Sequence, residues 1–152
     1  MAAAPVRILA LLAALPLALS ACGQTSKDST KDFQGDQKAV AQTVEDLQKA
    51  ASKSDEDKIC TDLLAPALVA KIKAVAIKRG DPKGTCQTAL NDALKDSDSF
   101  ELQVKKVAID GTTATATVES DKTGSEKRDD SIQLTKVGNR WKIATLGTAS
   151  TS

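Results

Sequence analysis

Residues 129–144 read DDSIQLTKVGNRWKIA, and no other stretch limits the fold so tightly. Ile132, Leu134 and Val137 run into Gly138-Asn139, and Arg140, Trp141, Lys142 and Ile143 run out of it. A Gly-Asn pair between two β-prone runs predicts a hairpin, because the tight turns that match strand twist need φ > 0. A two-residue turn sets the register, with Leu134 opposite Ile143 and Lys136 opposite Trp141. Ile132, Leu134, Trp141 and Ile143 then share one face, and Gln133, Thr135 and Lys142 take the other. Trp141 is the one tryptophan in a chain with two phenylalanines and no tyrosine. It brings the largest apolar surface to the core, so the rest of the chain must cover that face.

Upstream of the hairpin, from residue 99, the apolar period is already two. Phe100, Leu102 and Val104 alternate with polar residues, and after Lys105-Lys106 the phase slips to Val107 and Ile109, which predicts a β-bulge. Asp110-Gly111 turns the chain. Ala114, Ala116 and Val118 then face one way and Thr113, Thr115 and Thr117 the other. The two alanines leave room on the inner face, to be taken by a helix or by a pocket. Residues 120–130 (SDKTGSEKRDD) read as an exposed charged loop, Asp129 and Asp130 included.

Before residue 99 the period is 3.6. Val40, Val44, Leu47 and Ala51 make one face of a helix over 37–52, with Asp36 as N-cap and Gln42, Glu45, Lys49 and Lys53 opposite. Ser54 and Asp57 have the spacing of a capping box, opening a short helix through residue 64. Pro66 suits the first turn of a third helix, striped by Leu68, Ile72, Val75 and Ala76 and closed by Gly80. Residues 81–84 form a turn, and Thr85 caps a fourth helix over 86–95. Helices first and strands afterwards predict an α+β domain over 37–147, with a frayed tail at 148–152. Three to four helices pack on one face of a curved, cone-like antiparallel sheet of about four strands.

The first 21 residues carry one charge, Arg7, and the apolar run 8–19 is too short to span a bilayer but right for a signal-peptide core. Leu19-Ser20-Ala21-Cys22 looks like a bacterial lipobox, in which the cysteine thiol is acylated and becomes the first residue after cleavage. That assigns 1–21 to a lipoprotein signal peptide, Cys22 to lipid attachment and 22–36 to a flexible tether with Phe33 exposed on it. One acyl chain binds a membrane only marginally, so such proteins carry two or three. The expected address is extracytoplasmic, lipid-anchored to the cell membrane, and the alanine-rich, aromatic-poor composition suits a high-GC bacterium.

The chain has 21 basic and 20 acidic side chains and no histidine, and setting Arg7 aside with the leader leaves 20 against 20. A balance near zero without a basic stripe gives no reason to expect nucleic-acid binding. With Cys22 assigned to lipid, Cys60 and Cys86 remain, and two cysteines in an exported domain are expected to pair. A metal site would lack ligands without histidine.

The lipobox, the polar tether, the helices with the motif Ile59-Cys60-Thr61-Asp62-Leu63-Leu64-Ala65-Pro66, Cys86 and the closing Val137-Gly138-Asn139-Arg140-Trp141-Lys142-Ile143 together resemble actinobacterial lipoproteins of the nuclear-transport-factor-2-like superfamily. The resemblance covers about residues 36–146 and implies the α+β cone. It selects no activity, since superfamily members include isomerases, cyclases and adaptors.

Enzymes of that superfamily resemble one another in using a pocket acid or base with tyrosine or histidine partners, and this chain has neither. Asp62 and Asp92 sit on helices able to face the cone, but read better as solvated. No serine or threonine has an activating base, and no phosphate loop or cofactor motif is present. No catalytic residue and no cofactor is assigned. The expected function is non-catalytic: binding of an apolar ligand or a protein partner, with no expectation of oligomeric state. The alternative is an isomerase- or cyclase-like enzyme using a pocket Asp or Lys. A pocket at the mouth of the cone would be lined by Ala114, Ala116, Leu134, Trp141 and Ile143, although a tryptophan so placed is more often core.

Overall fold

The structure, a computed structural model, describes residues 28–81, 83–95, 100–122 and 128–149. The expected signal peptide, Cys22 and the start of the tether lie outside the described residues. A 3₁₀ turn (Ser29–Asp32) leads into α1 (Gly35–Ser52). The next helix, α2, is α-helical over Glu56–Lys58 and widens into a π-helix over Ile59–Leu63; α3 (Pro66–Lys78) and α4 (Cys86–Lys95) follow. Four strands complete the domain: β1 (Phe100–Asp110), β2 (Thr113–Lys122), β3 (Arg128–Val137) and β4 (Arg140–Ala149). They form one antiparallel sheet in the order β1-β2-β3-β4. α1 packs against β1 and β4, the two outermost strands, and one helix reaches both only because the sheet curls around it. This is the α+β arrangement expected.

The hairpin has the expected register, Leu134 opposite Ile143 and Lys136 opposite Trp141. Of its two central residues only Gly138 has positive φ, at 61°, the pattern of a turn with glycine first. The bulge falls between Val104 and Lys106. It keeps Val104 and Val107 both on the inner face, where they join Val118, Ile132 and the residues of α1 in one buried cluster.

Helix ends follow the expected chemistry in part. Thr85 Oγ1 accepts from the Thr88 N–H at 3.1 Å and caps α4. At the end of α3, Gly80 N–H donates to Ile77 O and Asp81 N–H to Ala76 O, the paired bonds of a glycine C-cap. A Cβ on Gly84 would lie 2.6 Å from the Ala76 Cβ, so the turn after α3 closes tightly onto that helix. Two caps differ from expectation. α1 starts at Gly35 after Gln34, leaving Asp36 in the first turn, where it meets Lys136 Nζ at 3.1 Å. Asp55, not Ser54, caps α2 by accepting from Lys58 N–H at 3.1 Å. Ser54 has a φ of 51° and belongs to the chain reversal that ends α1.

The expected tether is partly folded. Residues 28–33 lie against α1 and β1, held by Glu45, which the helical pattern puts on the polar face but which is buried. Its Oε1 accepts from Ser29 N–H at 2.7 Å and Thr30 N–H at 3.2 Å. Ser29 Oγ accepts from the Val104 N–H of β1 at 3.2 Å, and Phe33 packs on the core instead of standing exposed. At the other end, β4 pairs through Thr148 and Ala149, the first two residues of the tail expected at 148–152, whose remainder lies outside the described residues.

Both outer strands meet partners. On β1, Leu102 N–H donates to Gln48 Oε1 and Gln37 Nε2 donates to Val107 O, each at 3.2 Å. Along β4, Leu64 makes a parallel bridge to Ile143, whose carbonyl accepts from Ala65 N–H at 2.8 Å.

Cys60 and Cys86 form a disulfide with Cα atoms 6.1 Å apart. It ties the π-turn to the first residue of α4 and closes the loop containing α3.

Candidate ligand cavity

Seven elements converge on a cavity of about 390 Å³ at the end of the sheet away from the two tight turns. α1 contributes Leu47 and Ala51, the π-turn of α2 Ile59, and α4 Leu90 and Leu94. The sheet contributes Leu102, Val118, Ile132, Leu146 and Gly147, together with one carboxylate, Asp130. Bulk is missing where Ala51 and Gly147 stand. Leu90, Leu94 and Leu102 are only partly buried and Leu146 is 45% exposed, so an apolar lining faces open space. Ser120 Oγ lies 3.5 Å from Asp130 Oδ2. Apolar walls with one hydrogen-bond acceptor suit a ligand with an apolar body and a donor group.

The five residues expected to line a pocket are elsewhere. Ala114, Ala116, Leu134, Trp141 and Ile143 are all buried in the core, and none of them lines this cavity. α1 packs over β2, so helix occupies the room left by Ala114 and Ala116. Ile143 is fully buried, and its backbone bridges to Leu64. Trp141 closes the turn end: Thr43 Oγ1 donates to its carbonyl at 3.3 Å, and Lys136 Nζ sits 5.5 Å from its ring centroid. Its Nε1 is buried with no hydrogen-bond partner among the described residues. Asp62 and Asp92 are exposed. Asp62 lies 3.9 Å from Arg140, and Asp92 lies 3.5 Å from Lys95.

Asp130 is the lining residue that the loop reading missed. A signal was there: counting back by two from Leu134 and Ile132 lands on Asp130, which puts it on the inner face.

A curled sheet wrapped on a long helix, with an apolar cavity beyond it, defines an α+β domain. Residues 41–146 match the family model described as low molecular weight antigen MTB12, C-terminal domain, and the chain belongs to that family. A de novo designed NTF2 fold protein, NT-9, is similar to it with a TM-score of 0.46 and 15% identity, over 74% of this chain and 87% of that one. No curated protein sequence matches the chain. Among the described residues no helix is long and apolar enough to cross a membrane.

Proposed function

We propose that this protein is an envelope lipoprotein, anchored through Cys22, whose domain binds an apolar small molecule without transforming it. The observation that carries the reading is the cavity of about 390 Å³, walled by leucine, isoleucine and valine with Asp130 as its one charged lining residue. That volume falls in the lower part of the range of about 300–1,000 Å³ typical of ligand pockets. Asp130 gives the ligand an orientation, accepting a hydrogen bond from a hydroxyl or amine at one end. The lipobox supports the anchor, and an antigen family is consistent with an extracytoplasmic address.

N-phenyl-1-naphthylamine, an apolar fluorophore with one N–H donor, tests the site. Its emission should rise on saturable binding to the wild type. Ala51→Phe, which fills the cavity from α1, should lower affinity at least tenfold while leaving the melting curve in place. Ala116→Leu should do the reverse: it overpacks a closed core, costs about 1–3 kcal/mol of stability, and leaves affinity intact. Equal binding by the wild type and Ala51→Phe, or no binding by either, would sink the proposal.

A further inference from the structure

We infer that α3 is a membrane-docking helix, laying an outward strip of alanines and Ile77 on an anionic lipid surface between flanking lysines. Residues 66–80 contain Lys71, Lys73, Lys78 and Arg79 and no acidic residue. Apart from those cations and its end residues the helix is leucine, isoleucine, valine and alanine. A helix so apolar on all sides is normally buried, yet Ala76 is the one buried residue of α3. Val75 is 45% and Ile77 54% exposed.

Helical geometry sorts these residues into two sides. Leu68, Val69, Ile72 and Ala76 fall together and pack inward. At about 100° per residue, Ala67, Ala70, Ala74 and Ile77 align on the opposite side, and all four are exposed. Lys73 borders this strip on one flank and Lys71 and Lys78 on the other. Interfacial helices place cations in this way, with stems along the apolar strip and ammonium groups at the headgroups. None of the four cations is ion-paired among the described residues. The acid that follows the helix, Asp81, is turned back to accept from Lys83 N–H.

The charge and composition choose the occupant. Protein interfaces centre on aromatic and arginine anchors and are depleted in lysine and alanine. This strip has lysine and alanine and no aromatic residue, which fits a deformable anionic surface better than a shaped protein one. The loop that carries the helix is closed by the Cys60–Cys86 disulfide, and the turn after it packs tightly on its last turn through the close approach of Gly84 to Ala76.

The test omits the lipid anchor, so its result is independent of Cys22 acylation and of the cavity. The chain from residue 22 with Cys22→Ser is sedimented with vesicles of phosphatidylcholine alone or mixed with phosphatidylglycerol. Binding should require the anionic lipid and weaken with salt. The combined Lys71→Gln, Lys73→Gln and Lys78→Gln variant should lose roughly a hundredfold in affinity, taking each lysine as several-fold. Ile77→Asp should also lose binding, while Ala51→Phe should not. Each substituted α3 side chain is solvent-facing, so circular dichroism melts should stay unchanged. Failure to sediment with anionic vesicles, or sedimentation unaffected by the lysine and Ile77 changes, overturns the inference. Self-association in the ultracentrifuge that Ile77→Asp abolishes, without vesicle binding, would give the strip to a second copy instead.

Discussion

Glu45 shows how much a single side chain organises here. Its carboxylate lies under the N-terminal segment, accepts the Ser29 and Thr30 N–H groups, and stands 3.6 Å from Lys49 Nζ. Ser29 passes the connection to β1 through Val104. Hydrogen bonds to a charged group contribute about 1.5–3 kcal/mol, and Glu45→Ala should lower stability by that amount in urea titrations. It should also open the chain at Lys31 to trypsin, and an unchanged cleavage rate there would mean that the segment is held by something else. The position could not be read locally. Glu45 shares a helical face with polar neighbours, and its partners are 15 and 16 residues away. Phe33 was misread for the same reason, since what it docks on belongs to the folded domain. Caps were legible to within two residues: Asp36 stands two past the Gln34 cap of α1, and at α2 Ser54 and Asp55 both have capping side chains, so only the reversal at Ser54 selects between them.

At the scale of elements, strands were more legible than helices. The hairpin register and the bulge follow from a glycine at a two-residue turn and a slip in a period of two, both local to the sequence. The widening of α2 into a π-helix was not legible. Its Leu64 N–H reaches back to Ile59 O at 3.0 Å, in the segment that also brings Cys60 to Cys86 and Leu64 to β4. The disulfide was expected from export and pairing, and the structure shows what it brackets. Replacing both cysteines by serine should cost about 3–4 kcal/mol, as expected for closing a loop of this size. The loss should concentrate in α3, which buries little of its own, so its amides should exchange faster while those of α1 change least. Uniform loss of protection would show that the bridge stabilises the whole domain equally.

For the whole molecule, the order of periods in the chain foretold the architecture, whereas the cavity was hidden. The alanines of β2 do leave space, but whether a helix fills it depends on how α1 lies across the sheet, which no spacing records. The open volume arises at the other end, where α4 and the ends of the strands do not meet. The anchor remains a matter for the N-terminus: Cys22→Ala should shift the protein out of the membrane fraction or leave it unprocessed, and a wild type that takes up no fatty-acid label would remove the lipid assignment. Cys22 lies six residues from Asp28, so even a fully extended chain keeps the docked segment within about 20 Å of the proposed acylation site. A protein anchored there, as proposed, would be confined to a plane, at local concentrations far above those in solution. An unpaired sheet border would there template end-to-end polymerisation. Gln37, Gln48 and Ser29 on one side, and Leu64 and Ala65 on the other, occupy those borders along their middle. In the proposed anchored state, those covered borders would disfavour edge-to-edge pairing between crowded neighbours.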